Sequence, residues 1–282
     1  MKVLIQSNKF QKIAAEVARY SFIKQGISDV EIINLEEHDI LVKNFGKKYL
    51  RNGKLTTFDN NDLQSFTLLR FIPTKLQIND FCLIVDPDIF AIKNPMSEIY
   101  KILDNKTDIY CTKINGKLRT EVMILNLKNN IWHFDSLIDD LFSKRIDYSD
   151  LINLKFINDK KIKIIDNKFN DHDKINENTI LLHTSNRLTQ PWKEGLEINF
   201  KNHYSKIYII KNYIRFIIGK KYDEKIISNK FLRHPDENII KIVKNLFEEA
   251  YKNNFININK IKSALFNKSI SQKFLKSLEI DY

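Results

Sequence analysis

The sequence predicts an α/β fold: a mixed, mainly parallel sheet flanked by helices and followed by a helical C-terminal appendage. Apolar runs at 2–6 and 30–35 have the length of strands, and the segment 10–25 between them carries apolar residues at helical spacing. This order is typical of a βαβ unit, in which the two strands are parallel. A third run, Phe81–Val85, has the length of a buried strand and ends abruptly at charged residues. Basic amphipathic segments in 201–282 predict the appendage.

The remaining elements alternate between helix and strand along the chain. Residues 36–62 are polar and contain glycine and asparagine, so we expect a loop region there. The apolar pattern of 62–76 predicts a helix that ends at Pro73. The further predicted elements are a helix from Asn94-Pro95, strands at 108–112 and 120–127, a helix over 129–144, strands at 162–165 and 179–182, and C-terminal helices that begin near Pro235 and Ser271.

Length and composition place the chain among soluble globular proteins. Its 282 residues can bury a substantial core, either as one large domain or as one domain with an appendage. We expect no signal peptide, and no apolar segment approaches the ~20 residues needed to cross a bilayer. Cys82 and Cys111 lie in apolar runs and are expected to be buried free thiols rather than a disulfide. Together these features predict a cytoplasmic protein.

The net charge of +11 is concentrated in the C-terminal part of the chain. Residues 201–282 contain 17 basic and 8 acidic residues, whereas 1–200 contain 29 and 27. We therefore predict an N-terminal domain, 1–200, and a basic helical extension, 201–282. Such a charge favours contact with membrane lipid, a phosphorylated acceptor or nucleic acid, although lysines also simply keep exposed helices in solution. The extension would either lie peripherally on an anionic membrane or pack against the N-terminal domain.

Two carboxylates, Asp86 and Asp88, directly follow the central apolar run. Pro87 fixes its own φ and keeps Asp86 out of the helical region, so both carboxylates can face one point beyond the sheet edge. Carboxylates this close repel each other unless a cation or a proton lies between them, and oxygen ligands suit Mg²⁺ or Mn²⁺ that also binds a phosphate. The pair therefore predicts a divalent metal site, the alternative being a polar turn after a buried strand.

A histidine, His183, follows a later apolar run in the way that Asp86 follows its own. A histidine at this position can add a nitrogen ligand to a two-carboxylate site, although histidines at strand ends also serve as hydrogen-bonded structural residues. The segment after it is polar and ends in an apolar Pro-Trp anchor. Arg187 could bind a diphosphate through two hydrogen bonds. The donors that this segment offers to phosphate oxygens are Arg187, Gln190 and Lys193.

Together these residues resemble the motifs of the GT-A glycosyltransferases of family 8, a group that includes glycogenin and bacterial lipopolysaccharide galactosyl- and glucosyltransferases. The resemblance covers 1–200 and includes a His-Thr-x-x-Arg-x-Thr-Gln-Pro-Trp segment. It implies a GT-A fold with 1–200 as the nucleotide-sugar-binding catalytic domain. In that family an Asp-x-Asp pair and a late histidine bind Mn²⁺, which holds the diphosphate of a UDP-sugar. The resemblance thus implies that Asp86, Asp88 and His183 are ligands of Mn²⁺ or Mg²⁺.

The resemblance also implies contacts to the nucleotide-sugar. The segment 66–73 resembles the one whose basic residue contacts the donor, which gives that role to Arg70. The loop after the first strand would meet the uridine. The implied nucleotide-sugar-binding residues are Gln6, Ser7, Asn8, Arg70, Asp86, Arg187, Gln190, Trp192 and Lys193.

The chain departs from the family pattern at three places. Glu121 stands where glycine is common, which would change the shape of the donor-sugar pocket. Gln190 stands where the family has lysine, and Arg187 is the candidate that would supply the missing positive charge. The family's Asp-Gln pair is echoed only loosely in 147–153, where Asp150 would correspond. Glu121 and Asp150 are the candidate catalytic residues.

The implied function is that of a retaining, metal-dependent hexosyltransferase. It would move a hexose from a UDP-sugar to a hydroxyl of a glycan or lipid-linked acceptor, as in the synthesis of bacterial lipopolysaccharide or capsule. A nucleotidyltransferase that makes nucleotide-sugars shares the sheet and the acidic site, but the first-strand loop has no glycine to bind phosphates. A basic nucleic-acid-binding protein would explain the extension, but no base-stacking aromatic residues interleaved with basic ones are evident.

Overall fold

The structure is a computed structural model that describes residues 1–62, 64–198, 206–220 and 228–280. Its strands are β1 (Lys2–Ser7), β2 (Val30–Asn34), β3 (Lys48–Arg51), β4 (Lys54–Thr57), β5 (Phe81–Val85), β6 (Ile89–Ala91), β7 (Ile109–Ile114), β8 (Lys117–Asn126), β9 (Ile162–Ile164), β10 (Asp171–His172) and β11 (Leu181–His183). Its α-helices are α1 (Lys12–Lys24), α2 (Asp39–Val42), α3 (Met96–Ile102), α4 (Phe134–Phe142), α5 (Tyr148–Ile152), α6 (Lys206–Ile217), α7 (Glu237–Lys252), α8 (Ile258–Phe266) and α9 (Gln272–Leu275). Several 3₁₀ segments connect them, of which Ser65–Lys75 is the longest.

The central sheet has six strands in the order β2-β1-β5-β8-β7-β9. β1 is parallel to both β2 and β5, and β7 is parallel to β9. Only β8 runs against its neighbours, since it is antiparallel to β5 and to β7. The predicted fold class, a mixed and mainly parallel sheet flanked by helices, is confirmed.

The two faces of this sheet belong to two separate hydrophobic clusters. Alternate residues of a strand point to opposite faces, so Leu83 and Val85 join the cluster under α1, while Cys82 and Ile84 join the one under α4. All five residues of β5 are buried, as expected for a strand covered on both faces. Cys82 and Cys111 are buried free cysteines, as predicted.

The expectation of a loop over 36–62 was wrong, because this region contains the hairpin β3–β4 as well as α2. Asn52 and Gly53 have φ angles of 52° and 70° at its turn. A two-residue hairpin turn needs positive φ at both positions, and Asn-Gly supplies it at little cost. Asp147 holds the turn by accepting hydrogen bonds from the backbone N–H groups of Asn52 and Gly53 at 3.0 and 2.8 Å.

The predicted helix over 62–76 is a 3₁₀ segment, Ser65–Lys75, and it continues past Pro73. Every side chain from Ser65 to Pro73 is buried, so this segment lies within the protein rather than as an amphipathic surface helix. The predicted helix over 129–144 is shorter, since α4 covers only Phe134–Phe142, and α5 was not predicted.

The helices after residue 236 pack against α1 and the segment Pro191–Lys193. Ile239, Val243 and Phe247 of α7 are fully buried in the hydrophobic cluster that includes α1 and β1. Ser271 caps α9 by accepting a hydrogen bond from the Phe274 N–H at 3.0 Å, as predicted, whereas α8 was not predicted. Of the two alternatives for the basic extension, packing therefore describes α7 to α9. No helix within the described ranges has the length and apolarity to cross a membrane.

Candidate metal and ligand site

Strand direction brings the ends of β1, β5 and β8 together. Parallel β1 and β5 present their carboxyl ends at one edge of the sheet, where Gln6 and Asp86 lie. Because β8 is antiparallel, its early residues reach the same edge. Val85 pairs with Val122, and the Asp86 N–H donates to the Glu121 carbonyl at 3.0 Å. The backbone of Glu121 thus lies beside Asp86.

A second, three-stranded sheet, β10-β11-β6, delivers His183 to this edge. β6 begins one residue after Asp88, and it pairs antiparallel with β11 so that Ile89 lies opposite His183. The backbone N–H of Thr184 donates to the Asp88 carbonyl at 3.1 Å. This register places the Nε2 of His183 3.5 Å from the Oδ1 of Asp88.

Asp86 is buried and surrounded by hydrogen-bond donors. Arg70 donates to both of its carboxylate oxygens, at 3.2 Å from Nε and 2.6 Å from Nη2, and its Nη1 donates to Thr120. The side-chain amide of Gln6 donates to the same carboxylate. Burial raises the pKa of Asp86 to about 6, although Arg70 opposes this effect by favouring the charged form. A further cation next to Asp86 would stabilise its ionised form.

His183 is buried, and hydrogen bonding sets its orientation. Its Nδ1 lies 2.9 Å from the Oδ1 of Asn170, so Nδ1 acts as a donor to Asn170 and Nε2, which faces Asp88, is the nitrogen available to a metal ion. Burial lowers the pKa of His183, but the carboxylates around it, above all Asp88, outweigh burial and leave the pKa raised. The ring of His172 lies against it, with 4.7 Å between centroids.

The predicted trio of Asp86, Asp88 and His183 therefore converges. All three are buried, and each offers a ligand atom that lies within 4.8 Å of the other two. The donor set fits a divalent cation, since two carboxylates and an imidazole nitrogen, whose ring is held by the Asn170 amide, are ligands that Mn²⁺ and Mg²⁺ accept. The neighbouring amides keep unused acceptors, because Gln6 Oε1 and Gln190 Oε1 are buried without a hydrogen-bond partner.

The segment after His183 lines the opposite side of the cluster. Gln190 donates from its Nε2 to the Oδ2 of Asp88 at 2.8 Å. Lys193 is 2% exposed, and its ammonium group has no hydrogen-bond partner. Burial lowers the pKa of Lys193 to about 7, while the charge of Asp88 opposes this shift. Burial also lowers the pKa of Arg187, although the negative charges of Asp62 and Asp88 oppose this shift. The buried Lys193 and the half-buried Arg187 thus come within electrostatic reach of Asp88.

Two contacts anchor this segment to the rest of the protein. Trp192 is fully buried between Phe90 and Phe247, at centroid distances of 5.9 and 6.0 Å, so its ring belongs to the core. Asp173 accepts hydrogen bonds from the Ser185 hydroxyl at 2.8 Å and from the Asn186 N–H at 2.9 Å. The loop that carries Gln190 and Lys193 is therefore held from both ends.

Three polar groups with unused hydrogen-bonding atoms lie next to the trio. The Oε2 of Glu121, the Nε2 of His172 and the Nε of Arg119 are buried without a partner. Burial would raise the pKa of Glu121, but Arg70, His183 and Arg119 outweigh it and leave the pKa lowered, so the carboxylate is ionised. Burial lowers the pKa of His172 to about 4, so its ring is neutral. Sequence reasoning missed His172 and Asn170, because neither belongs to a recognisable motif.

The remaining predicted residues lie at different distances from the trio. Ser7 and Asn8 are buried at the end of β1, and the Asn8 amide donates to the Ser65 hydroxyl at 3.0 Å. Arg70 contacts Asp86 and Thr120, which makes it a residue that positions Asp86. Asp150 lies on α5 with its side chain 42% exposed, and it forms an ion pair with Lys155 at 2.6 Å. No contact recorded among the described residues joins Asp150 to the trio.

Comparison with known proteins gives matches at the level of structure only. No family model matches the chain, and no curated protein matches its sequence. Solved structures to which the chain is similar include a galactosyltransferase, LgtC, in complex with donor and acceptor sugar analogues, at 12% identity and a TM-score of 0.45 over 68% of this chain and 89% of that one. Mouse xyloside xylosyltransferase 1 is similar at 12% identity and a TM-score of 0.41, over 66% of this chain and 97% of that one.

A third similar structure is the glycosyltransferase GlyE of Streptococcus pneumoniae, at 13% identity and a TM-score of 0.48 over 88% of this chain and 64% of that one. All three of these proteins are glycosyltransferases.

Proposed function

We propose that this protein is a metal-dependent glycosyltransferase that moves a hexose from a UDP-sugar to an acceptor hydroxyl with retention of anomeric configuration. The observation that carries the proposal is the convergence of Asp86, Asp88 and His183 near the buried Lys193 and the half-buried Arg187. A cluster that combines metal ligands with positively charged side chains suits a diphosphate, which needs both.

The donor nucleotide would lie across the carboxyl ends of β1 and β5. Ligands of open α/β sheets bind beyond the carboxyl ends of the strands, where Gln6, Ser7 and Asn8 lie at the end of β1 and would meet the uridine. Asp86 and Asp88 follow β5 on the next strand. The nucleotide would thus extend from the β1 loop to the metal ligands.

In the proposed transfer, the bond between the anomeric carbon and the diphosphate oxygen breaks. The acceptor oxygen bonds to that carbon, and the hydroxyl proton leaves with the UDP. A bound Mn²⁺ or Mg²⁺ would supply charge stabilisation to the departing diphosphate. Arg70 keeps Asp86 ionised and oriented for this role. Lys193 and Arg187 would place positive charge on the phosphate oxygens in a site from which water is largely excluded.

The hexose would lie against Glu121 and His172. The Oε2 of Glu121 and the Nε2 of His172 are buried and unpaired, so two sugar hydroxyls could donate to them. Glu121 also places a negative charge near the carbon that becomes positive in the transition state. Asp150 would act on the acceptor, because its exposed side chain on α5 faces the solvent.

The acceptor we propose is a bacterial surface glycan or its lipid-linked precursor, such as lipopolysaccharide or capsule. Residues 1–200 would form the catalytic domain and 201–282 an extension that meets an anionic acceptor or membrane. A cytoplasmic enzyme that works at the inner face of the plasma membrane fits this proposal, because the net charge of 201–282 is positive.

The test is UDP release from a panel of UDP-sugars, with and without Mn²⁺. We expect release with one donor, dependent on Mn²⁺, and a loss of about a hundredfold in Asp88→Asn, since one preorganised electrostatic interaction is commonly worth ~3 kcal/mol in the transition state. The matched control is Asp139→Asn, an exposed carboxylate on α4, which should retain the wild-type rate. Wild-type turnover by Asp88→Asn would refute the proposal.

A further inference from the structure

One face of α6 exposes a stripe of large apolar side chains. Ile210, Tyr213, Ile214 and Ile217 recur at intervals of three and four residues, and Ile218 follows them. All five are exposed, and Ile217 most of all at 76%. Scattered apolar residues on a surface are normal, but a contiguous stripe along one helix marks an interaction surface.

Asn212 marks the side of α6 that faces the protein. It is buried at 2% exposure, and at 100° per residue it lies about 150° around the helix from the centre of the stripe. The stripe therefore lies on the side of the helix that faces away from the protein. A helix of a soluble protein normally turns such a stripe towards the protein.

Within the described segment 206–220 every charged residue is basic, with four basic residues and no acidic one. Lys211 and Arg215 are exposed on one side of the stripe, and Lys220 is exposed just beyond the end of the helix. Cationic residues beside an exposed apolar stripe are complementary to a surface that is apolar inside and anionic at its rim.

We propose that α6 is a membrane-interface helix that binds the surface of an anionic lipid bilayer. The five apolar side chains would enter the boundary between headgroups and acyl chains, and Lys211, Arg215 and Lys220 would contact the phosphate headgroups. Tyr213 suits this boundary because its ring is apolar and its hydroxyl is polar. A second copy of the same face would bring like charges together, and a nucleic acid would leave the apolar stripe exposed to water.

The test is cosedimentation of the full-length protein with vesicles of phosphatidylcholine, with and without phosphatidylglycerol. We expect binding that requires phosphatidylglycerol and weakens with salt. The double variant Ile214→Asp, Ile217→Asp should lose at least tenfold in affinity. The control is Phe266→Asp on α8, which removes an apolar side chain that is 88% exposed but lies outside the stripe, and it should bind as wild type does.

A second pair of variants compares the cationic residues beside the stripe with exposed lysines elsewhere in the protein. Each basic residue near an anionic membrane contributes a factor of about five in affinity. Lys211→Gln with Arg215→Gln should therefore lose more than tenfold. Lys262→Gln with Lys276→Gln removes the same charge from exposed sites in the C-terminal helices and should lose much less. Equal losses in the two pairs would overturn the assignment to α6.

Membrane binding by α6 and glycosyl transfer can be tested independently of each other. Vesicle binding needs no sugar donor, and release of UDP in solution should be the same in Ile214→Asp, Ile217→Asp as in the wild type. Wild-type vesicle affinity in that variant would overturn the inference, as would the absence of any binding by the wild-type protein. A concentration-dependent dimer in sedimentation velocity that this variant abolishes would assign the stripe to a second copy and would also overturn it.

Discussion

Helices α6 and α7 share an apolar periodicity but have opposite environments. Both carry apolar residues at intervals of three and four, although α6 has three basic and no acidic residues whereas α7 has three of each. In α7 the apolar face, which includes Ile239, Val243 and Phe247, is fully buried against α1 and the segment that carries Trp192. In α6 the corresponding face is exposed. Hydrophobic periodicity therefore shows that a helix has an apolar face, but the tertiary structure determines whether protein covers that face.

The largest effect on stability is expected when a side chain in the buried apolar face of α7 is truncated. Phe247→Ala removes a fully buried ring that contacts Trp192 and Phe274, with 5.0 Å between the centroids of Phe247 and Phe274. Such a truncation leaves a cavity, and we expect the free energy of unfolding to fall by about 3–5 kcal/mol. Urea denaturation measures it. A loss below about 1 kcal/mol would mean that α7 contributes little to the core.

A smaller effect is expected on metal binding, because α7 packs against the segment that carries Gln190. Trp192 lies between Phe90 and Phe247, just after Gln190, which donates to Asp88. Trp192→Leu should weaken Mn²⁺ binding by about tenfold, because residues that hold metal ligands in position commonly contribute 10–100-fold in metal affinity. Calorimetric titration with Mn²⁺ in the presence of UDP measures this. Unchanged affinity would show that the packing on α7 does not position the loop.

Lys193 should make the stability of the folded protein depend on pH. Burial lowers its pKa to about 7, from an ordinary value near 10.5 in the unfolded chain. Below pH 7 the folded protein carries a buried charge, which is unfavourable, and between pH 7 and 10.5 the unfolded chain binds more protons than the folded one. The stability of the wild type relative to Lys193→Met should therefore rise with pH over this range.

At neutral pH and below, Lys193→Met should be the more stable protein by about 1–3 kcal/mol, the cost of a buried and unpaired polar group. Denaturant midpoints of the two proteins at several pH values measure the difference. A difference that stays constant from pH 6 to pH 10 would show that Lys193 is not neutralised by burial.

The smallest effect is expected in the exposed stripe. Ile214→Ala and Ile217→Ala should each change the free energy of unfolding in water by no more than about 0.5 kcal/mol, because neither side chain is buried. The same urea experiment that tests Phe247→Ala provides the measurement. A loss of 2 kcal/mol or more would show that protein covers this face in solution, and the contrast between the two helices would disappear.

Much of the site could be predicted because its residues follow apolar runs. β5 is a five-residue buried strand followed by Asp86 and Asp88, and β11 is an apolar run that ends at His183. A strand end next to a polar residue is a local pattern, so it is visible in the sequence. The role of Arg70 was only partly visible, because the sequence does not show that its guanidinium binds Asp86 through two hydrogen bonds.

The parts that were missed depend on contacts between distant segments. The convergence of His183 and Asp88 was predicted, but the pairing of β6 with β11 that produces it was not, because neither three-residue segment is long enough to indicate it. His172 and Asn170 join the site through the same small sheet. The hairpin at Asn52-Gly53 is different, since its turn signal was present in the sequence but was read as part of a loop.

The central claim is that Asp86, Asp88 and His183 bind one divalent cation together. The most direct measurement is an electron paramagnetic resonance titration of Mn²⁺, in which the signal of the free ion decreases as the protein binds it. We predict saturable binding of one Mn²⁺ by the wild type and by Asp139→Asn, and loss of that binding in both Asp88→Asn and His183→Ala. Binding by these two variants with wild-type affinity would contradict the claim.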